Sequence, residues 1–168
     1  TITWTTNENA TSVLNYGLTT GYGTASTSST LTTSHSLSLT GLSPSTLYHF
    51  ALTSVDASSN STTSTDYTFR TSADTTAPVI SSISASPSTT SVVITWNTDE
   101  GATAQVVYST DLSYGSTTIL NPTLQTSHSE TLTGLTESTQ YHFEVISADA
   151  SNNTSTSSDQ TVTTSATQ

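Results

Sequence analysis

Apolar residues in this chain fall at alternate positions in short runs. Val92, Ile94 and Trp96 are separated by Val93 and Thr95; Ala104, Val106 and Tyr108 follow at the same spacing. Further on, Tyr141, Phe143 and Val145 alternate with His142, Glu144 and Ile146. A period of two marks a half-buried β-strand. Leu132, Leu135 and Tyr141 bracket a turn, and Val162 marks a last strand. In the first half of the chain the matching faces are Ile2/Trp4, Leu14/Tyr16, Leu37/Leu39, Tyr48/Phe50/Leu52 and Tyr67/Phe69. Turn residues separate them: Asn7-Glu8-Asn9, Gly21, Gly41, Pro44 and Ser59-Asn60. No segment carries a 3.6-residue period. Short strands at regular spacing predict an all-β sandwich.

The two halves are copies. Ile2-Thr3-Trp4 returns as Ile94-Thr95-Trp96, Thr33-Ser34-His35-Ser36 as Thr126-Ser127-His128-Ser129, and Leu39-Thr40-Gly41-Leu42 as Leu132-Thr133-Gly134-Leu135. Tyr48-His49-Phe50 returns as Tyr141-His142-Phe143, and Asp56-Ala57-Ser58 as Asp149-Ala150-Ser151. The offset of about 92 residues is the size of one small sandwich of about 100 residues. The reading is two tandem sandwiches, 1–71 and 77–168, joined by a linker at 72–76. The second copy is preceded by Ala77-Pro78-Val79-Ile80-Ser81-Ser82-Ile83, a strand opening, whereas the first begins at its Trp-bearing strand. Three expectations follow for the first copy: its opening strand lies upstream in a longer array, is disordered, or is donated by a neighbouring subunit.

The Trp on the second strand and the run Gly41-Leu42-Ser43-Pro44-Ser45-Thr46-Leu47-Tyr48 resemble fibronectin type III domains. The resemblance covers nearly the whole chain. It implies two immunoglobulin-like sandwiches, with Tyr48 and Tyr141 forming tyrosine corners beside Leu42 and Leu135. The paired Tyr-Gly turns and the opening Asp74-Thr75-Thr76-Ala77-Pro78-Val79 are similar to repeats of prokaryotic secreted and cell-surface proteins. They are also similar to the β-domain that precedes purple acid phosphatases, whose catalytic domain is absent from this sequence. Glu130 stands where the first copy has Leu37, which predicts a partly open core edge in the second copy.

Composition narrows the function. Ser and Thr make up about 45% of the chain, while charged residues are only 8%. There is no Lys, Arg70 is the sole fixed cation, and the net charge is -11. Such a surface cannot neutralise a row of phosphates, so nucleic acid is excluded as a partner, and an anionic membrane would repel it. No apolar run is long enough to span a bilayer. There is no Cys, hence no disulfide or thiolate chemistry. Hydroxyl-rich strands with so little charge point to an extracellular or cell-surface setting, and trypsin has one site to cut.

No catalytic pattern stands out. There is no Gly-x-Ser-x-Gly elbow, phosphate loop or paired carboxylates, so the chain is read as a non-enzyme. His49 and His142 should face solvent, and His35 and His128 should sit just before a strand, too dispersed to ligate a metal. A calcium joint is the sharper alternative: Asp74, Asp99, Glu100 and Asp149 fall in the linker and in loops after the second and sixth strands, where a hard cation would collect oxygens. The plain alternative is that these acids are solvated. Asn9, Asn60, Asn152 and Asn153 head glycosylation sequons. Tyr16, Tyr22, Tyr108 and Tyr114 are either hairpin filler or contacts for a glycan or a surface protein. The functional expectation is a spacer, stalk or fibre module whose partners are adjacent repeats or further copies of itself. The alternatives are a recognition or adhesion module and an accessory domain of a secreted enzyme.

Overall fold

The alternating runs become strands throughout the computed structural model, which describes residues 1–167 and has no helix among them. The chain divides into two compact units, Thr1–Asp74 and Thr75–Gln168. The first holds β1 (Ile2–Gly17), β2 (Thr24–Leu37), β3 (Leu47–Val55), β4 (Ser61–Thr63) and β5 (Tyr67–Arg70). The second holds β6 (Ile80–Pro87), β7 (Ser91–Ser109), β8 (Ser116–Thr117), β9 (Asn121–Thr133), β10 (Gln140–Ala148), β11 (Thr154–Thr156) and β12 (Gln160–Thr163). All pairings are antiparallel.

Unit 2 is an immunoglobulin-like β-sandwich. The first half of β7 lies between β6 and β9, and its second half pairs with β10 and β8; β11 and β12 complete that second sheet along β10. One long strand therefore serves both sheets. Its ladder with β9 breaks register between Asn97 and Ala102 and again before Ala104, which bends it from one layer to the other. β1 does the same, with breaks between Thr5, Ala10 and Ser12. This corrects two sequence expectations. Asn7-Glu8-Asn9 and Asp99-Glu100 sit in the bend of a continuous strand, not in a turn or a loop between strands. Likewise, His35 lies within β2 and His128 within β9, not ahead of them.

The core of unit 2 lies between its layers. Val92, Ile94, Trp96 and Leu132 come from one sheet; Val106, Tyr141, Phe143, Val145 and Val162 come from the other. Ile80, Ile83 and Ala85 of β6 pack against this cluster. The expected opening at Glu130 does not form: Ile94, its partner across the ladder, is fully buried. Glu130 points inward from β9, which pairs only with β7, and stays half-buried at the rim. Burial there pushes its carboxyl pKa up.

Unit 1 has the same plan with one difference: no described residue plays the part of β6. Ile2, Trp4, Phe50 and Leu52 are half-buried, whereas their counterparts Ile94, Trp96, Phe143 and Val145 are at most 1% exposed. Tyr67, expected to face inward, is 50% exposed. The buried apolar residues of unit 1 are Ala10, Leu14, Tyr48 and Ala51.

Candidate functional site

Polar side chains form the same four constellations in both units. In the first, His35 is 3% exposed and stacks on Trp4, with ring centroids 4.8 Å apart. Its Nδ1 lies 2.8 Å from Ser12 Oγ and its Nε2 2.9 Å from Thr6 Oγ1. In unit 2, His128 stacks on Trp96 at 5.0 Å with Nε2 2.9 Å from Thr98 Oγ1. Each indole N–H donates to a serine on the facing sheet, Ser54 at 3.1 Å and Ser147 at 3.0 Å. The imidazoles thus act as flat core residues, with hydroxyls at both nitrogens of His35 and at Nε2 of His128.

Burial lowers the pKa of His128. Its folded value lies below the unfolded value of about 6.5, so its contribution is complete above that pH and is lost as pH falls through the folded value. The resistance of unit 2 to urea should therefore fall from about pH 6.5 downward. In a His128→Gln variant that slope should be absent.

The second constellation is the tyrosine corner. Tyr48 Oη accepts the Ser43 N–H at 3.1 Å, and Tyr141 Oη accepts the Thr136 N–H at 3.0 Å. Tyr48→Phe or Tyr141→Phe leaves that N–H without its partner and should cost about 1–3 kcal/mol in the unit that carries it, read by urea titration.

The third is a chain of three side chains. Asp66 accepts from Tyr22 Oη at 3.1 Å and lies 2.7 Å from His49 Nδ1. In unit 2, Asp159 accepts from Tyr114 Oη at 2.7 Å and lies 2.9 Å from His142 Nδ1. The His142 and Tyr114 hydrogen bonds hold the Asp159 carboxyl below its usual range, and the Tyr114 phenol is pushed up by burial and by Asp159. Both tyrosines adopt a positive φ, 56° and 46°. This backbone is uncommon for a bulky residue and is held here by the side-chain bonds. Gly17 serves the first of these turns, because a Cβ there would run into the Tyr22 carbonyl. Tyr16 and Tyr108 lie in β1 and β7, and Tyr108 packs on Tyr141 at 6.5 Å. All four tyrosines named as candidate contacts are half-buried.

The fourth is an aspartate-capped loop. Asp56 Oδ1 accepts the N–H groups of Ser58 and Asn60, and Oδ2 accepts Asn60 Nδ2. Asp149 repeats this with Ser151 and Asn153 at 2.7–2.8 Å. Burial pushes the Asp149 pKa up, but the Asn153 and Ser151 bonds hold it net below the ordinary value. The amide nitrogens of Asn60 and Asn153, which an N-linked glycan would use, are thus engaged as caps. Asn9 is exposed in β1, and Asn152 is exposed at φ 63°.

The remaining acids are placed as follows. Asp99 Oδ1 accepts the Val79 N–H at 2.7 Å, fastening the start of β6 to β7. Within unit 2, carboxylate oxygens of Glu100 and Asp149 lie within 4.8 Å of each other. Asp74 is the last residue of unit 1 and is half-buried. The Asp149 oxygens also serve its own loop.

Among the described residues, one feature distinguishes unit 1. Beside β1, a hollow of about 430 Å³ is lined by apolar Ile2, Trp4, Phe50, Leu52 and Tyr67, with hydroxyls at its margins. Phe50 stacks on Tyr67 at 5.5 Å and meets Phe69 at 5.9 Å. The sequence pattern identified the face but not its exposure.

No protein-family model matches the chain, and no curated protein matches it. Among solved structures, the crystal structure of chicken CNTN1 FN1-FN3 domains is similar over 95% of this chain and 56% of that chain, at 14% identity and a TM-score of 0.46.

Proposed function

We propose that this chain is a non-catalytic structural module of an extracellular or cell-surface protein, serving as a spacer, stalk or fibre subunit. The observation that carries this reading is the duplication of the polar constellations. Trp–His–hydroxyl stack, tyrosine corner, Tyr–Asp–His chain and aspartate-capped loop occur at matching positions in both units, each closed within its own unit. Groups that could do chemistry are spent twice, in the same way, on holding strands and turns together. Two further features support an exposed setting: hydroxyl-rich strands, and a single Arg in 168 residues that leaves trypsin one site. The half-buried tyrosines favour this reading over recognition through the hairpin tips.

The test is stretching single molecules by their ends. Two discrete unfolding steps are expected, of at most about 27 and 34 nm at about 3.6 Å per residue for units of 74 and 94 residues. Gradual extension without steps would remove the spacer reading.

A further inference from the structure

We propose that Asn152 is the acceptor of an N-linked glycan, and that the fold withholds the other three sequons from the same modification. This rests on the extracellular setting proposed above, since a secreted chain is the kind that meets the transferase, and it adds one residue and one chemistry to that reading.

Asn9, Asn60, Asn152 and Asn153 each stand two residues before a Ser or Thr, with no Pro between. The motif is read at both ends: the asparagine amide that takes the sugar, and the hydroxyl two residues on. Asn60 Nδ2 lies 2.7 Å from Asp56 Oδ2, and Asn153 Nδ2 lies 2.8 Å from Asp149 Oδ2. A charge-assisted hydrogen bond has to open before either nitrogen is free. Asn9 is exposed, but the hydroxyl of its motif is in use. Thr11 Oγ1 accepts the Val55 N–H and donates to the Val55 carbonyl, both at 3.3 Å. Ala10, between the two, is 4% exposed and paired with Thr32.

Asn152 differs on each count. It is exposed, its side chain makes no hydrogen bond among the described residues, and Thr154 is exposed as well. Thr154 Oγ1 lies 3.5 Å from the Asn152 carbonyl oxygen, so the hydroxyl is turned back toward the asparagine. The backbone does not require asparagine here. Asn152 has φ 63°, and its counterpart Ser59 has φ 69° in the same aspartate-capped loop. Serine serves that left-handed turn in unit 1, which leaves the Asn152 amide spare in unit 2. The loop leads into β11, which pairs with β10 alone among the described residues. A bulky, solubilising group beside it would shield a bare strand edge. The co-reactant is a lipid diphosphate-linked oligosaccharide. The Asn152 amide nitrogen bonds to the anomeric carbon and gives up one proton. The anomeric carbon–oxygen bond breaks, and the lipid diphosphate leaves with that electron pair.

The test supplies the transferase. Purified, folded chain is incubated with a single-subunit oligosaccharyltransferase and lipid-linked oligosaccharide, and its glycopeptides are mapped by mass spectrometry. A glycan is expected at Asn152. Occupancy of Asn9, Asn60 and Asn153 should be roughly tenfold or more lower, as for sites that must first break a hydrogen bond. Thr154→Ala removes the Asn152 motif and leaves that of Asn153, read through Ser155, intact, so this variant should carry no glycan at either position. Asn152→Gln should also lose the glycan. Synthetic peptides with one sequon each should be modified at similar rates, which places the selection in the fold. Four results overturn the proposal: no glycan on the folded chain, Asn9 or Asn60 modified as fully as Asn152, transfer to Asn153 in the Thr154→Ala chain, or peptides that repeat the ranking of the chain. Because enzyme and sugar are both supplied, each of these counts against Asn152 and leaves the spacer reading to its own stretching test.

Discussion

Replacing Trp96 with alanine should lower the stability of unit 2 by about 3–5 kcal/mol, the range for removing a fully buried Trp. The indole is 1% exposed, stacks on His128 and donates to Ser147, so the substitution opens a cavity and strips two polar groups of their partners. A domain of this size holds about 5–15 kcal/mol in all. At roughly 4–8 °C per kcal/mol, its thermal transition should fall far enough to separate clearly from the wild-type value. The same change at Trp4 should cost about half as much, because that ring is already half in water beside the hollow. Calorimetry of the two single variants checks the pair. Equal losses would mean that the hollow is closed in solution.

The second large effect lies in unit 1. Leu14 is fully buried at the centre of β1, paired with Ser26 of β2 and Leu52 of β3. Leu14→Ala should cost about 2–5 kcal/mol. Unit 1 has few other buried apolar side chains to absorb that loss, so it should unfold at room temperature or close to it. Unit 2 keeps its own core, and its NMR signals should remain dispersed. Collapse of both sets of signals together would show that the two units fold as one.

Much of the fold was legible because burial in a strand follows position. Val92, Ile94 and Trp96, then Tyr141, Phe143 and Val145, alternate in sequence and alternate in burial in the structure. The repeat was equally plain, since Trp, His, Tyr and Asp recur at one offset. What escaped notice has physical causes. Alternation treats a polar residue as outward-facing, so His35 and His128 were assigned to the approach to a strand. Their inward placement depends on a hydroxyl on the neighbouring strand, Thr6 or Thr98, meeting the ring. The recurrence of His flanked by Ser at matching positions was the available signal. Asp66 and Asp159 were not singled out because their partners are 17 and about 45 residues away. Asn7-Glu8-Asn9 carries turn chemistry, yet the chain runs on as a strand, because a register shift absorbs the bend without reversing direction. Pattern also states which face is apolar but not what covers it, so Tyr67 was placed inward although no described strand lies over it.

One sandwich is built twice, and among the described residues it is sealed once. Site-resolved hydrogen exchange in the intact chain tests it with an internal control. Amides between Ile94 and Thr98 have strands on both sides and should exchange slowly throughout. Between Ile2 and Thr5, amides that face away from β2 should exchange at near-solvent rates while their neighbours bonded to β2 stay protected. Equal protection of the two segments would contradict the claim and show that unit 1 closes its own edge.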